Sequence, residues 1–193
     1  MLQPSTALTA NLLETNGQFL AYWLGKLEGG CMPWKSAIDP AEMPRLLPDL
    51  VLYERRAPDD FHIRLAGTAV VRRVGVNPTG NNVLDLLHSG SRATLRAALN
   101  RILDEPCGHV ARVRDQYPSG REAIVEVLRL PLRAEEGEPR FIISSTAETS
   151  DDPGWSDPQE KPELLAELLD QSFFGWRGAR PGEPAAVAPL GTG

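Results

Sequence analysis

Three histidines and two cysteines are the side chains of this chain best suited to metal or nucleophilic chemistry, and their spacing favours neither. His62, His88 and His109 fall in three separate segments, without the short intervals that let imidazoles converge on one ion. Cys31 lies in Gly30-Cys31-Met32-Pro33 and Cys107 in Pro106-Cys107-Gly108, far apart and without a CxxC partner. That arrangement disfavours a disulfide framework and a zinc site, and both thiols read as packing residues. No phosphate-cradling GxxxxGK[ST], no GxSxG elbow, no HExxH and no acidic calcium loop occurs. No nucleophile, acid–base pair or metal set stands out, so binding rather than catalysis is the expected class of function.

The elements that would position any binding group follow from periodicity. From Asn16, read as a helix cap, Phe19, Leu20, Trp23, Leu24 and Leu27 recur at three- and four-residue intervals, and Gly29-Gly30 ends that amphipathic helix. Pro33, Pro40, Pro44 and Pro48 break the next stretch into short turns. Leu50–Tyr53 reads as a strand. Phe61, Ile63 and Leu65 alternate with His62 and Arg64 in a second strand whose core face holds the apolar three. Thr68–Val74 suits a short helix and Ser91–Leu103 a longer one ended by Pro106. Strands are expected at His109–Asp115, Glu122–Leu132 and Phe141–Ser144, the first two joined by the turn Tyr117-Pro118-Ser119-Gly120. A three-strand meander buries little alone, so the first two strands should join it in one antiparallel sheet.

Charge and composition divide the chain. Of the net charge of −6, residues 150–193 carry eight acids against three bases, and the remainder is nearly neutral. A neutral body offers no basic face for nucleic acid. No apolar run is long enough to cross a membrane as a helix, and the N-terminus lacks a leader pattern, so a cytoplasmic protein is expected. Residues 1–15 read as a flexible lead-in, 16–148 as the folded domain, and 149–193 as an acidic tail rich in Pro and Gly. Within the tail, Leu164, Leu165, Leu168 and Leu169 predict a short helix over 162–172, followed by Phe173, Phe174 and Trp176 as a candidate partner motif. Removal of the tail is expected to leave stability nearly unchanged.

The order of elements, with residues at particular places, resembles a family of short stand-alone bacterial PAS domains of the alphaproteobacterial type. The matching residues run through Trp23, Pro33, Lys35-Ser36, Ile38-Asp39-Pro40, Met43-Pro44 and Leu46-Leu47-Pro48. They continue with Arg64-Leu65-Ala66-Gly67-Thr68, Gly75, Thr79-Gly80, Leu84 and Leu130-Pro131-Leu132. The resemblance implies an α+β PAS fold: a five-stranded antiparallel sheet, helices on one face, and the N-terminal amphipathic helix in front. It further implies a non-catalytic sensory or regulatory module that binds a small metabolite or a partner between sheet and helices.

In such a site Thr68 and Arg72, near the start of the short helix, could supply polar contacts, and Arg64 could meet an acidic ligand if its strand face turned inward. The cofactor is left unknown. Haem is disfavoured by the histidine spacing, and flavin photochemistry by the lack of an Asn-Cys-Arg-Phe-like segment. Signal output would pass to an unidentified signalling protein, and a homodimer is expected, with Phe19, Trp23 and Leu27 as its seam. A ligand-free dimerisation or adaptor module using that helix and the tail motif is the alternative.

Overall fold

The structure is a computed structural model and describes residues 11–116, 122–149, 165–176 and 188–190. The expected turn at 117–120 and most of the acidic tail lie outside the described residues, as do residues 1–10 of the lead-in. Helix α1 spans Glu14–Gly25 and starts ahead of Asn16, which is not its cap but a buried residue of its first turns. Three short 3-10 turns carry the proline-rich segment into strand β1 (Leu50–Ala57) and its hairpin partner β2 (Asp60–Ala66). Helix α2 (Thr68–Val74), another 3-10 turn and helix α3 (Ser89–Asp104) follow, then strands β3 (Gly108–Gln116), β4 (Glu122–Arg133) and β5 (Pro139–Glu148).

The first two strands do join the meander, in the order β2-β1-β5-β4-β3, all antiparallel. Two further strands extend that five-stranded sheet to seven. Strand β6 (Leu165–Gly175) pairs with β3, and the short β7 (Ala188–Leu190) pairs with β6. The helix expected over 162–172 is therefore a strand where it is described. The leucine spacing misleads because Leu168 and Leu169 are each 38 % exposed; the residues that bury are Phe173 and Phe174. Adjacent residues of a strand point to opposite faces. Accordingly Phe173 enters one core and Phe174 the other. Gly108 lies directly across from Phe174, and a Cβ there would sit 2.2 Å from its ring, so the strand pair closes only with glycine at that place.

The sheet is covered on both faces. Helices α2 and α3 pack Val70, Leu99, Ile102 and Leu103 against Phe61, Ile63 and Ile142 on one side. Helix α1 and the proline-rich turns pack Phe19, Leu20, Trp23, Met43 and Leu46 against Leu128, Leu130 and Phe174 on the other. The dimer seam expected at Phe19, Trp23 and Leu27 is thus corrected. Phe19 and Trp23 are wholly buried against the chain's own sheet, and Leu27 packs at the edge of the same cluster. The apolar stripe found its partner within the chain. Trp23 also stacks edge-on against Trp176, with ring centroids 4.8 Å apart, and donates from Nε1 to the Pro131 carbonyl oxygen at 3.2 Å. Pro131 occupies the part of β4 that runs beyond its pairing with β3, where its missing N–H costs no ladder bond on that side.

In β2 the alternation breaks. Leu52 pairs with Leu65 and Tyr53 with Ile63, leaving Arg64 as an extra residue in a bulge. The bulge turns Leu65 outward to 43 % exposure, whereas Phe61 and Ile63 remain core. Gly67 then leads into α2 under a second constraint: a Cβ there would meet the Leu47 and Pro48 carbonyl oxygens at 2.3 Å.

Candidate functional site

Between the sheet and helices α2 and α3 lies a cavity of about 400 Å³. Its floor comes from alternate residues of the central strands. On β3 these are His109, Ala111, Val113 and Asp115; on β4 they are Val125, Val127 and Arg129. Cross-strand register aligns them in rows, His109 opposite Arg129, Ala111 opposite Val127 and Val113 opposite Val125. Val70 and Val74 of α2 and Leu95 and Ala98 of α3 form the roof. The walls are mainly aliphatic, with polar groups gathered at the two ends of the floor.

At one end Arg129 and His109 are both buried. Arg129 Nη1 lies 3.2 Å from His109 Nδ1, and His109 Nε2 lies 3.0 Å from Gln171 Oε1. A guanidinium only donates, so Nδ1 must accept and the imidazole proton sits on Nε2, which donates to Gln171. Burial, reinforced by the Arg129 charge, pushes the His109 imidazole down to about 3, so the ring is neutral at ordinary pH. Burial also pulls the Arg129 guanidinium below its usual value.

At the other end Asp115 is buried, and desolvation lifts its carboxyl to about 6 against the opposing charge of Arg73. Arg73 Nη2 donates to Thr146 Oγ1 at 2.5 Å, and that hydroxyl donates to the Asp49 carbonyl oxygen at 3.1 Å. Six residue steps along β3 take His109 to Asp115, a span of about 20 Å at the rise of an extended strand.

The Asp115 shift has a measurable consequence. A carboxyl whose folded value is raised contributes stability that is fully present below its unfolded value of 3.8 and is lost as pH rises through about 6. Asp115→Asn removes that dependence. Relative to the wild type the variant should gain about 2–3 kcal/mol between about pH 4 and pH 8. Urea unfolding across that range measures it, and a pH-independent difference would contradict the burial argument.

The residues read from the sequence as ligand contacts do not line this cavity. Arg64, in its bulge, is exposed and pairs with Glu54 at 3.4 Å, where Arg140 and Arg56 also converge at 2.7 and 4.0 Å. Thr68 is exposed at the start of α2. Arg72 is exposed as well, while its neighbour Arg73 turns inward, because one helical step rotates the side chain by about 100°. Phe173, Phe174 and Trp176 are buried and not free to form a partner motif: Phe173 packs on His109 with ring centroids 4.6 Å apart. Sequence reading missed Arg129, His109, Gln171 and Asp115. The available signal was the two-residue series Ala123, Val125, Val127, Arg129, which places an arginine on the apolar face of its strand.

Cys107 is buried beside the cavity, not in its lining, and burial pushes its thiol up to about 11; Cys31 is exposed. Among the described residues no three His, Cys, Asp or Glu side chains are grouped to hold a metal, and no helix is long and apolar enough to cross a membrane.

A sheet whose helices enclose a cavity against its central strands is the architecture expected of a PAS domain. A family described as PAS domain (PAS_5) matches residues 13–146, and the chain belongs to that family. No curated protein matches the sequence. Among solved structures, the chain is similar to a light-oxygen-voltage domain studied with a flavin analogue. There the identity is 15%, the TM-score 0.46, and the match covers 58% of this chain and 84% of that one. It is also similar to the Rhodobacter sphaeroides LOV protein, with 16% identity, a TM-score of 0.44 and coverage of 60% and 70%. A third likeness is to Vibrio cholerae VqmA, a LuxR-type receptor, with 16% identity, a TM-score of 0.43 and coverage of 57% and 52%.

Proposed function

We propose that this PAS domain is a sensory or regulatory module that takes a small molecule into the cavity between its sheet and helices α2 and α3. Occupancy would be passed on through contacts with another protein. The carrying observation is a cavity of about 400 Å³, within the usual range for ligand sites, with aliphatic walls and a buried arginine–imidazole pair at one end. Such a void costs packing when empty, and a ligand that fills it stabilises the folded state by mass action. The alternative of a ligand-free adaptor loses its carriers, since Phe19, Trp23, Phe174 and Trp176 are all core residues.

The test is native mass spectrometry of the purified chain with a thermal-shift screen of metabolites, beside Ala111→Leu. Ala111 lies mid-floor in the lining, so leucine there takes up part of the void. The variant should melt within a few degrees of the wild type yet lose any co-purified molecule and any ligand-induced shift. No bound molecule and no shift in the wild type would sink the reading.

A further inference from the structure

We infer that the cavity selects a carboxylate: its ligand is a small organic acid with an apolar body, held by Arg129. This rests on the reading of the cavity as a ligand site and specifies the chemistry that the site recognises. Arg129 is 8 % exposed and lines the cavity. It makes no ion pair with a carboxylate among the described residues, and its Nε is buried without a hydrogen-bond partner. Two buried carboxylates, by contrast, have arginine partners. Glu126 meets Arg112 at 3.5 Å, and Glu54 meets Arg140 at 2.7 Å. A buried guanidinium held by a neutral imidazole, with the Tyr53 phenol as a further neighbour, has among the described residues no paired carboxylate to supply the counter-charge that such burial demands.

The imidazole is suited to orienting it. His109 is held by Gln171 with its lone pair toward Arg129, which fixes one Nη of the fork and leaves other donors for an incoming group. Two parallel N–H groups of one arginine match the two oxygens of one carboxylate. A phosphate dianion would call for a second cation, and the other arginine in the lining, Arg73, is bonded to Thr146 toward the Asp115 end. Beyond Arg129 the floor is Ala111, Val113, Val125 and Val127, which fits an aliphatic or aromatic body. Asp115 at the far end repels a second carboxylate and can accept a hydroxyl or amine proton. The ligand is therefore a monocarboxylic acid.

The experiment is calorimetric titration of the full chain with straight-chain acids from butanoate to dodecanoate, phenylacetate, the corresponding amides, and octyl phosphate. At least one acid should bind ten-fold or more tightly than its own amide and than octyl phosphate. Arg129→Met should remove that acid-over-amide preference, and Arg129→Lys, which keeps the charge without the fork, should reduce it. Ligand-free Arg129→Met should melt no lower than the wild type, because it removes a buried charge without a paired carboxylate at the loss of one hydrogen bond to His109; a structural arginine would give a clear drop. Equal binding of acids and amides, or an unchanged preference in Arg129→Met, overturns carboxylate selection and leaves the cavity reading intact. Binding of no acid and no amide overturns both.

Discussion

Deleting residues 150–193 is expected to abolish cooperative folding, not to trim a tail. Strand β6 and the residue that follows it supply Phe174 and Trp176 to the core beneath α1 and Phe173 to the core beneath α3, all three buried. Removing one such aromatic by Phe174→Ala alone should cost about 3–5 kcal/mol. A domain's whole stability is only about 5–15 kcal/mol. The deletion takes all three aromatics, unpairs the outer edge of β3 and strips one side of Trp23. Circular dichroism with urea titration measures the result. A shortened chain that unfolds cooperatively at an unchanged midpoint would show that β6 contributes nothing to the fold.

Glu126→Ala should cost about 3–5 kcal/mol, because it strands several donors that one buried side chain now satisfies. Glu126 is wholly buried on the α1 face of β4. Its Oε1 accepts from the Leu13 backbone N–H at 2.8 Å and from Asn16 Nδ2 at 3.0 Å, while its Oε2 faces Arg112 Nε at 3.5 Å. Asn16 Nδ2 also reaches the Glu126 carbonyl oxygen at 3.1 Å. The first turn of α1 is thus capped from the sheet beneath it, since Leu13 at the cap position has no side chain able to do so. Glu126→Gln keeps one accepting oxygen for the α1 donors and should cost less than alanine. Pairing Glu126→Leu with Asn16→Leu should recover much of the loss, since no donor of Asn16 is then left buried. Urea unfolding of the three variants and the wild type checks the order. Equal stabilities would mean that water replaces the glutamate.

The sequence by itself determined the class of fold and most of its elements. Alternation in Phe61 and Ile63, the i, i+4 stripe of Leu95 and Leu99, and glycine or proline at the breaks are local signals, and each is governed by backbone geometry that a neighbour in sequence can reveal. The stripe Phe19, Trp23 and Leu27 was legible as a buried face, but not what buried it. A helix's apolar side is equally content on a sister chain or on its own sheet, and only the placement of β6 and Trp176 decided for the latter.

The strand at Leu165–Gly175 was hidden for a related reason. Its leucines follow a helical period, whereas its conformation is imposed by the unpaired edge of β3, some 50 residues earlier. The site needed tertiary structure most. Arg64 and Thr68 were visible as polar residues near a strand–helix junction, but a bulge turned the first to solvent and the helix start exposed the second. Arg129 and His109 face each other only because β3 and β4 are in that register, and a buried arginine reads on paper like any other. So the absence of convergent catalytic motifs was a matter of spacing along the chain. The pair that marks the cavity is assembled across it.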